Sequence, residues 1–287
     1  MVKYSILTLL FFTFLLDQVR AQSNIDSSLL TKEFFSLKEA LQKPNSVFRL
    51  NLSNQNLEVA DTIWSKFQNL QYLSLKNDRL KQIPSGIGSL KNLRVLDLSG
   101  NDFIVLPSTF SNLTNLQELY LNDDKYFDLN KSIAVLSQFQ NLQYLSLKND
   151  HLKQIPSGIG SLKNLRVLDL SGNDFKVLPS TFSNLKNLQE LYLNDDKYLQ
   201  LNHSILVLSK LPNLKSLHLE NDGLVELPKN IYKLKNLESL YLNNNEFKDL
   251  PKEIKGLKHL KYIDFHDNKL TFPQGMENQF IGIKVVF

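Results

Sequence analysis

Along most of this chain, leucine alternates with polar residues over a few positions, and the pattern returns after a fixed interval. The stretch Leu93-Arg94-Val95-Leu96-Asp97-Leu98-Ser99-Gly100-Asn101-Asp102-Phe103 is a clear copy. Its Leu-x-Leu core has period two, which predicts a short strand with leucine on one face and variable residues on the other. Phe103, Leu106, Phe110 and Leu113 follow as apolar positions that turn the chain back and bury a return segment. Pro107 opens that return, as do Pro84, Pro156, Pro179, Pro228 and Pro251 elsewhere. Proline fixes φ and lacks an N–H donor, which suits a segment outside the strand ladder. The unit begins at Val47, Leu70, Leu93, Leu116, Leu142, Leu165, Leu188, Leu214, Leu237 and Leu260, in steps of 23 residues with two steps of 26. One unit cannot bury its own apolar face, but stacked units share a continuous core.

Ten copies of L-x-x-L-x-L-x-x-N-x-L, most continued by a phrase such as Leu106-Pro107-Ser108-Thr109-Phe110-Ser111-Asn112-Leu113, resemble the leucine-rich repeat family in its 23-residue L-P-x-x-I-x-x-L-x-N form. The resemblance covers about residues 47–270. It implies an α/β solenoid, a curved horseshoe or rod with a parallel β-sheet on the concave side and helical or 3-10 segments on the convex side. Residues 69–140 and 141–212 are related by a shift of 72 with 10 differences, among them Arg79/His151, Ile104/Lys176 and Thr114/Lys186, as after a triplet duplication. The two 26-residue units, from Leu116 and Leu188, lack the proline and predict a longer helical return, with Asn130-Lys131-Ser132-Ile133-Ala134-Val135-Leu136 in the first.

The ends depart from the repeat. Residues 1–21 carry Lys3, an apolar run from Ile6 to Leu16, and Val19 and Ala21 as small residues before Gln22, which predicts a secretory signal rather than a spanning helix. Residues 22–46 predict an N-terminal capping helix, with Ser27 or Ser28 as cap, Leu30, Phe34, Leu37 and Leu41 on one face, and a stop near Pro44. This lead-in is similar to that of exported bacterial members of the family. Residues 271–287 predict a C-terminal cap, in which Ile281, Ile283, Val285 and Phe287 alternate as a final strand.

If the strands stack, their outward positions form columns. The first runs Arg49, Tyr72, Val95, Glu118, Tyr144, Val167, Glu190, Ser216, Ser239, Tyr262, and the second Asn51, Ser74, Asp97, Tyr120, Ser146, Asp169, Tyr192, His218, Tyr241, Asp264. Six of the ten tyrosines fall here. Tyrosine offers a large amphipathic contact at low entropy cost, and it is also a good strand former. The candidate partner-binding residues are therefore Tyr72, Asp97, Glu118, Tyr120, Tyr144, Asp169, Glu190, Tyr192, His218, Tyr241, Tyr262 and Asp264, all expected to face solvent. With the two following columns the face carries nine carboxylates against Arg49, Lys76 and Lys148, so about −6, although the whole chain is +4. A protein with a complementary basic patch is the expected ligand.

The ladder position that closes each strand is Asn at 101, 173, 245 and 268 and Gln at 55, but Asp at 78, 124, 150, 196 and 222. An ionised aspartate accepts hydrogen bonds and cannot donate them. Either neighbouring groups compensate, or the paired aspartates hold a calcium-like cation.

The remaining composition removes whole classes of chemistry. The absence of cysteine excludes disulfides, thiolate zinc sites and a cysteine nucleophile. His151, His203, His218, His259 and His266 have no metal-ligating spacing, and Ser85-Gly86-Ile87-Gly88 sits in a return segment without a phosphate-binding context. A mild net charge gives no reason to expect nucleic acid, and no later stretch is long enough to span a membrane. The sequence thus predicts an exported, non-enzymatic binding protein without cofactor or metal, located in the periplasm, at the cell surface or outside the cell. Its ligand is expected to be a protein; a cell-envelope scaffold or a carbohydrate-binding protein is the alternative.

Overall fold

The computed structural model describes residues 30–58, 60–271 and 282–287. The secretory signal, the capping serines and Ile281 lie outside the described residues. Among these, twelve strands form one sheet in sequence order, each parallel to the next. Ten are the predicted rungs, from Arg49–Asn51 to Tyr262–Asp264, each three residues long. Their register keeps the predicted columns intact: Arg49 pairs with Tyr72, Tyr72 with Val95 and Val95 with Glu118, while Ser74 pairs with Asp97 and Asp97 with Tyr120. The leucines between, such as Leu50, Leu73, Leu96, Leu119, Leu145 and Leu168, are fully buried on the other face. Each fully buried leucine contributes roughly 1.5–3 kcal/mol relative to exposure.

The returns follow the two unit lengths. The 23-residue units that carry the proline go back through a 3-10 segment beginning just after it, as at Ser85–Ser89, Ser108–Asn112 and Ser157–Ser161, and the first unit returns through Asp61–Lys66 after Ala60. The 26-residue units instead form the helices Leu129–Leu136 and Leu201–Leu208, because three more residues supply a full α-helical turn. The duplicated copies differ at the start of this helix. Asp128 caps the first through a bond from the Lys131 amide (3.1 Å), whereas Gln200 makes no side-chain cap in the second.

A second ladder runs along the edge where the returns re-enter the sheet. Asn92, Asn115, Asn187 and Asn236 each donate through Nδ2 to a carbonyl one rung back, at 2.7–2.9 Å. At the last rung His259 takes this place, with Nδ1 2.7 Å from the Lys235 carbonyl.

The ends differ in part from expectation. The described portion of the N-terminal segment is not one helix. Glu33–Phe34 is a strand that pairs with Arg49–Leu50, followed by a four-residue helix, Leu37–Ala40, capped by Ser36. The sheet edge at the first rung offers unpaired backbone groups that a helix cannot satisfy, and pairing outweighs the helical periodicity. Phe34 is buried as predicted, while Leu37 and Leu41 are only partly covered. At the other end Lys284–Val286 pairs with Tyr262–Asp264 as the predicted closing strand. Ile283 and Val285 pack against the core, but Phe287 is 53% exposed.

Candidate functional site

The two outward columns do not simply project into solvent. Their rings lie against one another along the sheet, because parallel in-register strands place successive side chains about 4.8 Å apart, close to ring-stacking distance. Tyr120 and Tyr144 are 4.9 Å apart between centroids. Further along, Tyr192 stacks on His218 at 3.9 Å, His218 on Tyr241 at 4.1 Å with planes only 6° apart, and Tyr241 meets Tyr262 at 5.2 Å. At the N-terminal end the Arg49 guanidinium lies over the Tyr72 ring at 4.1 Å and bonds Glu33 at 3.4 Å. The expectation that all these positions face water is therefore corrected: Glu118, His218 and Asp264 are buried, and the tyrosines are partly so.

Carboxylates tie the rings down. Tyr120 donates to Glu118 (2.8 Å), Tyr192 to Glu190 (2.7 Å) and Tyr262 to Asp264 (3.1 Å). Burial, aided by these acids, pushes the Tyr120, Tyr144 and Tyr192 phenols well above their ordinary value, and those of Tyr72 and Tyr262 up to about 12. All stay protonated and remain donors. Asp97 and Asp169 each accept from the amide two residues on, Ser99 and Ser171, at 3.0 and 2.9 Å.

The equivalent acids Glu118 and Glu190 meet different neighbours on the following rung. His218 Nε2 sits 3.1 Å from Glu190 and its Nδ1 3.2 Å from Glu220, so both nitrogens face carboxylates. Burial pulls the imidazole pKa down, but the two carboxylates outweigh it and the net shift is upward. Glu190 is likewise pushed up by burial, yet the bonds from His218 and Tyr192 leave it below its usual value. In the first copy the rung after Glu118 carries Tyr144 and Ser146 instead. Burial there prevails over the Tyr120 bond and the Arg49 charge, and Glu118 is raised. One residue on the following rung thus reverses the shift of equivalent acids.

The outermost column answers to backbone geometry. Asn54, Asn77, Asp123, Asn149, Asp195, Asn221, Asn244 and Asp267 all have φ between 55° and 65°, and Gly100 and Gly172 have 72° and 69°. Asn, Asp and Gly are the residues that tolerate this region. A Cβ on Gly100 would stand 2.0 Å from Asn77 Oδ1, so the turn also demands close approach. The composition of this column was legible as polarity only; its cause is the left-handed turn.

The ladder aspartates use one oxygen each. Asn101 Oδ1 accepts from Asp78 and Leu80 amides, and its Nδ2 donates to the Leu75 and Leu98 carbonyls at 2.9 and 2.6 Å. Asp124 Oδ1 accepts from the Asn101 amide, Asp150 Oδ1 from Asp124, and Asp222 Oδ1 from Asp196. The Oδ2 atoms of Asp78, Asp124, Asp150 and Asp196 are buried without a partner. Burial raises Asp124 and Asp196 to about 9 and Asp150 and Asp222 to about 8, against an ordinary 3.8. A neutral carboxylic acid carries one acceptor and one donor, the same pair an asparagine offers. Burial thus favours the protonated form of these aspartates, which matches asparagine in its donor and acceptor count. Among the described residues no cluster of three His, Asp or Glu side chains is arranged to hold a metal ion, and no helix is long and apolar enough to cross a membrane.

Comparison with known proteins agrees with this architecture. The family described as leucine-rich repeat region matches residues 46–140, 123–205 and 196–279. No curated protein matches the sequence. Among solved structures, a chain of the Drosophila Toll–Spatzle complex aligns over 82% of this chain with TM-score 0.67 and 21% identity. A chain of the mouse RP105/MD-1 complex aligns over 80% with TM-score 0.65 and 20% identity. An internalin of Listeria monocytogenes aligns over 84% of this chain and 72% of its own length, with TM-score 0.55 and 19% identity. The chain spans 35% and 40% of the lengths of the Toll–Spatzle and RP105/MD-1 chains it matches. At these identities the likeness is one of fold, and the three successive family matches, together with the registered rungs, make the chain a member of the leucine-rich repeat family.

Proposed function

We propose that this chain is an exported, non-enzymatic binding protein that recognises a protein partner through the concave face of its solenoid. The observation that carries the reading is the in-register file of aromatic rings along Tyr120–Tyr144 and Tyr192–His218–Tyr241–Tyr262, in which Tyr120, Tyr192, His218 and Tyr262 are held by carboxylates. Ring order is set before any ligand arrives, so little side-chain entropy is lost on contact. Asp97, Glu118, Asp169, Glu190 and Asp264 add charge that fixes register and speeds encounter. Tyr72 lies two rungs before Tyr120, covered by Arg49. Two of the similar chains come from complexes, Toll with Spatzle and RP105 with MD-1, which supports a protein ligand. Export rests on residues 1–21, and it places the partner in the periplasm, at the surface or outside the cell. The cell-envelope scaffold and carbohydrate readings draw on the same tyrosines and acids.

The test is parallel capture of envelope and surface proteins and of an array of glycans by the full chain, with the Tyr120→Ala/Tyr192→Ala variant alongside. A protein captured by the native chain and released by the double variant is expected. Equal capture by both removes the concave assignment, and capture of glycans alone replaces the protein reading with the carbohydrate one.

A further inference from the structure

The charge of the concave face is not spread evenly. Over the four outward positions of the first five rungs, Asp97, Glu118 and Asp123 are matched by Arg49, Lys76 and Lys148. Over the last five rungs the same positions carry six carboxylates, at 169, 190, 195, 220, 264 and 267, and no lysine or arginine. The lysines bordering that half at the strand entry, Lys215 and Lys261, are both committed to Glu238 (3.1 and 2.6 Å). The four-ring stack lies in this acidic half. Within it Glu220 Oε2 is buried and without a hydrogen-bond donor.

The chain itself shows what such a surface accepts. At one end a guanidinium rests on Tyr72 beside a carboxylate. At the other the Lys284 ammonium of the closing strand stands 5.7 Å from the centre of the Tyr262 ring. In the middle His218 is held between two tyrosines and two glutamates. A cation over a tyrosine face with a carboxylate alongside gains from both the ring quadrupole and the opposite charge.

Resting on the concave-face reading, we propose that the partner presents a segment rich in lysine or arginine, and that this segment seats on the last five repeats, over the Tyr192–His218–Tyr241–Tyr262 stack. The first five repeats, with balanced charge, offer such a segment no net attraction.

The duplication provides a matched control. Asp123 and Asp195 are equivalent residues 72 apart, both exposed, both at positive φ, and both accepting from the asparagine amide of the next rung, Asn149 and Asn221. Asparagine tolerates the same backbone, so Asp123→Asn and Asp195→Asn are expected to fold alike, which equal melting temperatures verify. A library of 12-residue displayed peptides is panned against the full chain, and the recovered peptides are titrated at several salt concentrations. Net-positive sequences are expected, weakened by salt. Asp195→Asn is expected to weaken them about threefold, as for unit charges about 7 Å apart in water, and Asp195→Asn/Asp267→Asn about tenfold, while Asp123→Asn changes binding less than 1.5-fold.

Enrichment of acidic or uncharged peptides overturns the proposal, as does recovery of no peptide or an Asp123→Asn effect equal to that of Asp195→Asn. If the recovered peptides respond to Tyr120→Ala/Tyr192→Ala but not differently to the two aspartate variants, the concave reading stands and the polarity falls. If they respond to none of these changes, the concave reading itself fails.

Discussion

Replacing Asp124 by asparagine is expected to stabilise the protein, and by an amount that depends on pH. In the fold Asp124 accepts the Asn101 amide through Oδ1, and its Oδ2 is buried without a partner. Its register equivalents, Asn101 and Asn173, donate from Nδ2 to two leucine carbonyls. Burial lifts the carboxyl from an ordinary 3.8 to about 9. The folded pKa is raised, so the contribution of the bound proton is complete below pH 3.8 and is lost steadily as pH climbs toward 9. At pH 7 folding must take up a proton against just over three pH units, about 4 kcal/mol at 1.36 kcal/mol per unit. Asparagine carries no such cost and offers the donor at every pH. The expected gain is about 2–4 kcal/mol at pH 7, near zero at pH 4, and rises by at most about 1.4 kcal/mol per pH unit between. Urea titration of the native chain and Asp124→Asn at pH 4, 5.5, 7 and 8.5, followed by circular dichroism, measures it. Asp196→Asn, in the second copy, should behave in parallel. A gain that does not vary with pH, or a loss of stability at pH 7, would refute the protonated ladder.

Two other consequences are accessible to the same equipment. Gln200→Asp should supply the helix cap that Asp128 provides in the first copy, raising stability by about 1 kcal/mol; no gain in urea midpoint would show that the second helix is held by packing alone. His218→Phe keeps a ring in the stack but removes the bonds to Glu190 and Glu220. Because the folded pKa of His218 is raised, its contribution is complete below pH 6.5 and declines as pH rises through the folded value, so the variant should lose about 2 kcal/mol at pH 6 and less at pH 9, read from melting curves at each pH.

Most of the architecture was legible because one period governs it. Leucine spacing located every rung, and the column register followed once strands stacked in sequence order. The missing proline of the 26-residue units located both helices. What escaped depends on interactions between rungs. The edge ladder of Asn92, Asn115 and their equivalents had a signal, an asparagine before the first leucine of most units, but its bonds reach a carbonyl 24 residues away. The positive φ of the outermost column could have been inferred from its restriction to Asn, Asp and Gly. The clasp on His218 could not, since it joins Glu190 and Glu220 across rungs whose side-chain rotamers no periodicity specifies. The N-terminal segment departs from the helical expectation because Phe34 fits a helical face and a strand equally well, and the open sheet edge decides between them.

The claim that recognition takes place on the concave face is tested most directly by photo-crosslinking. A peptide recovered by panning, carrying a photoreactive group, is irradiated in complex with the full chain, and the attachment sites are read by mass spectrometry. Adducts are expected at the outward positions of Glu190–Tyr192, Ser216–His218, Ser239–Tyr241 and Tyr262–Asp264. Adducts confined to the convex returns, Lys229–Lys233 and Lys252–Gly256, would contradict it.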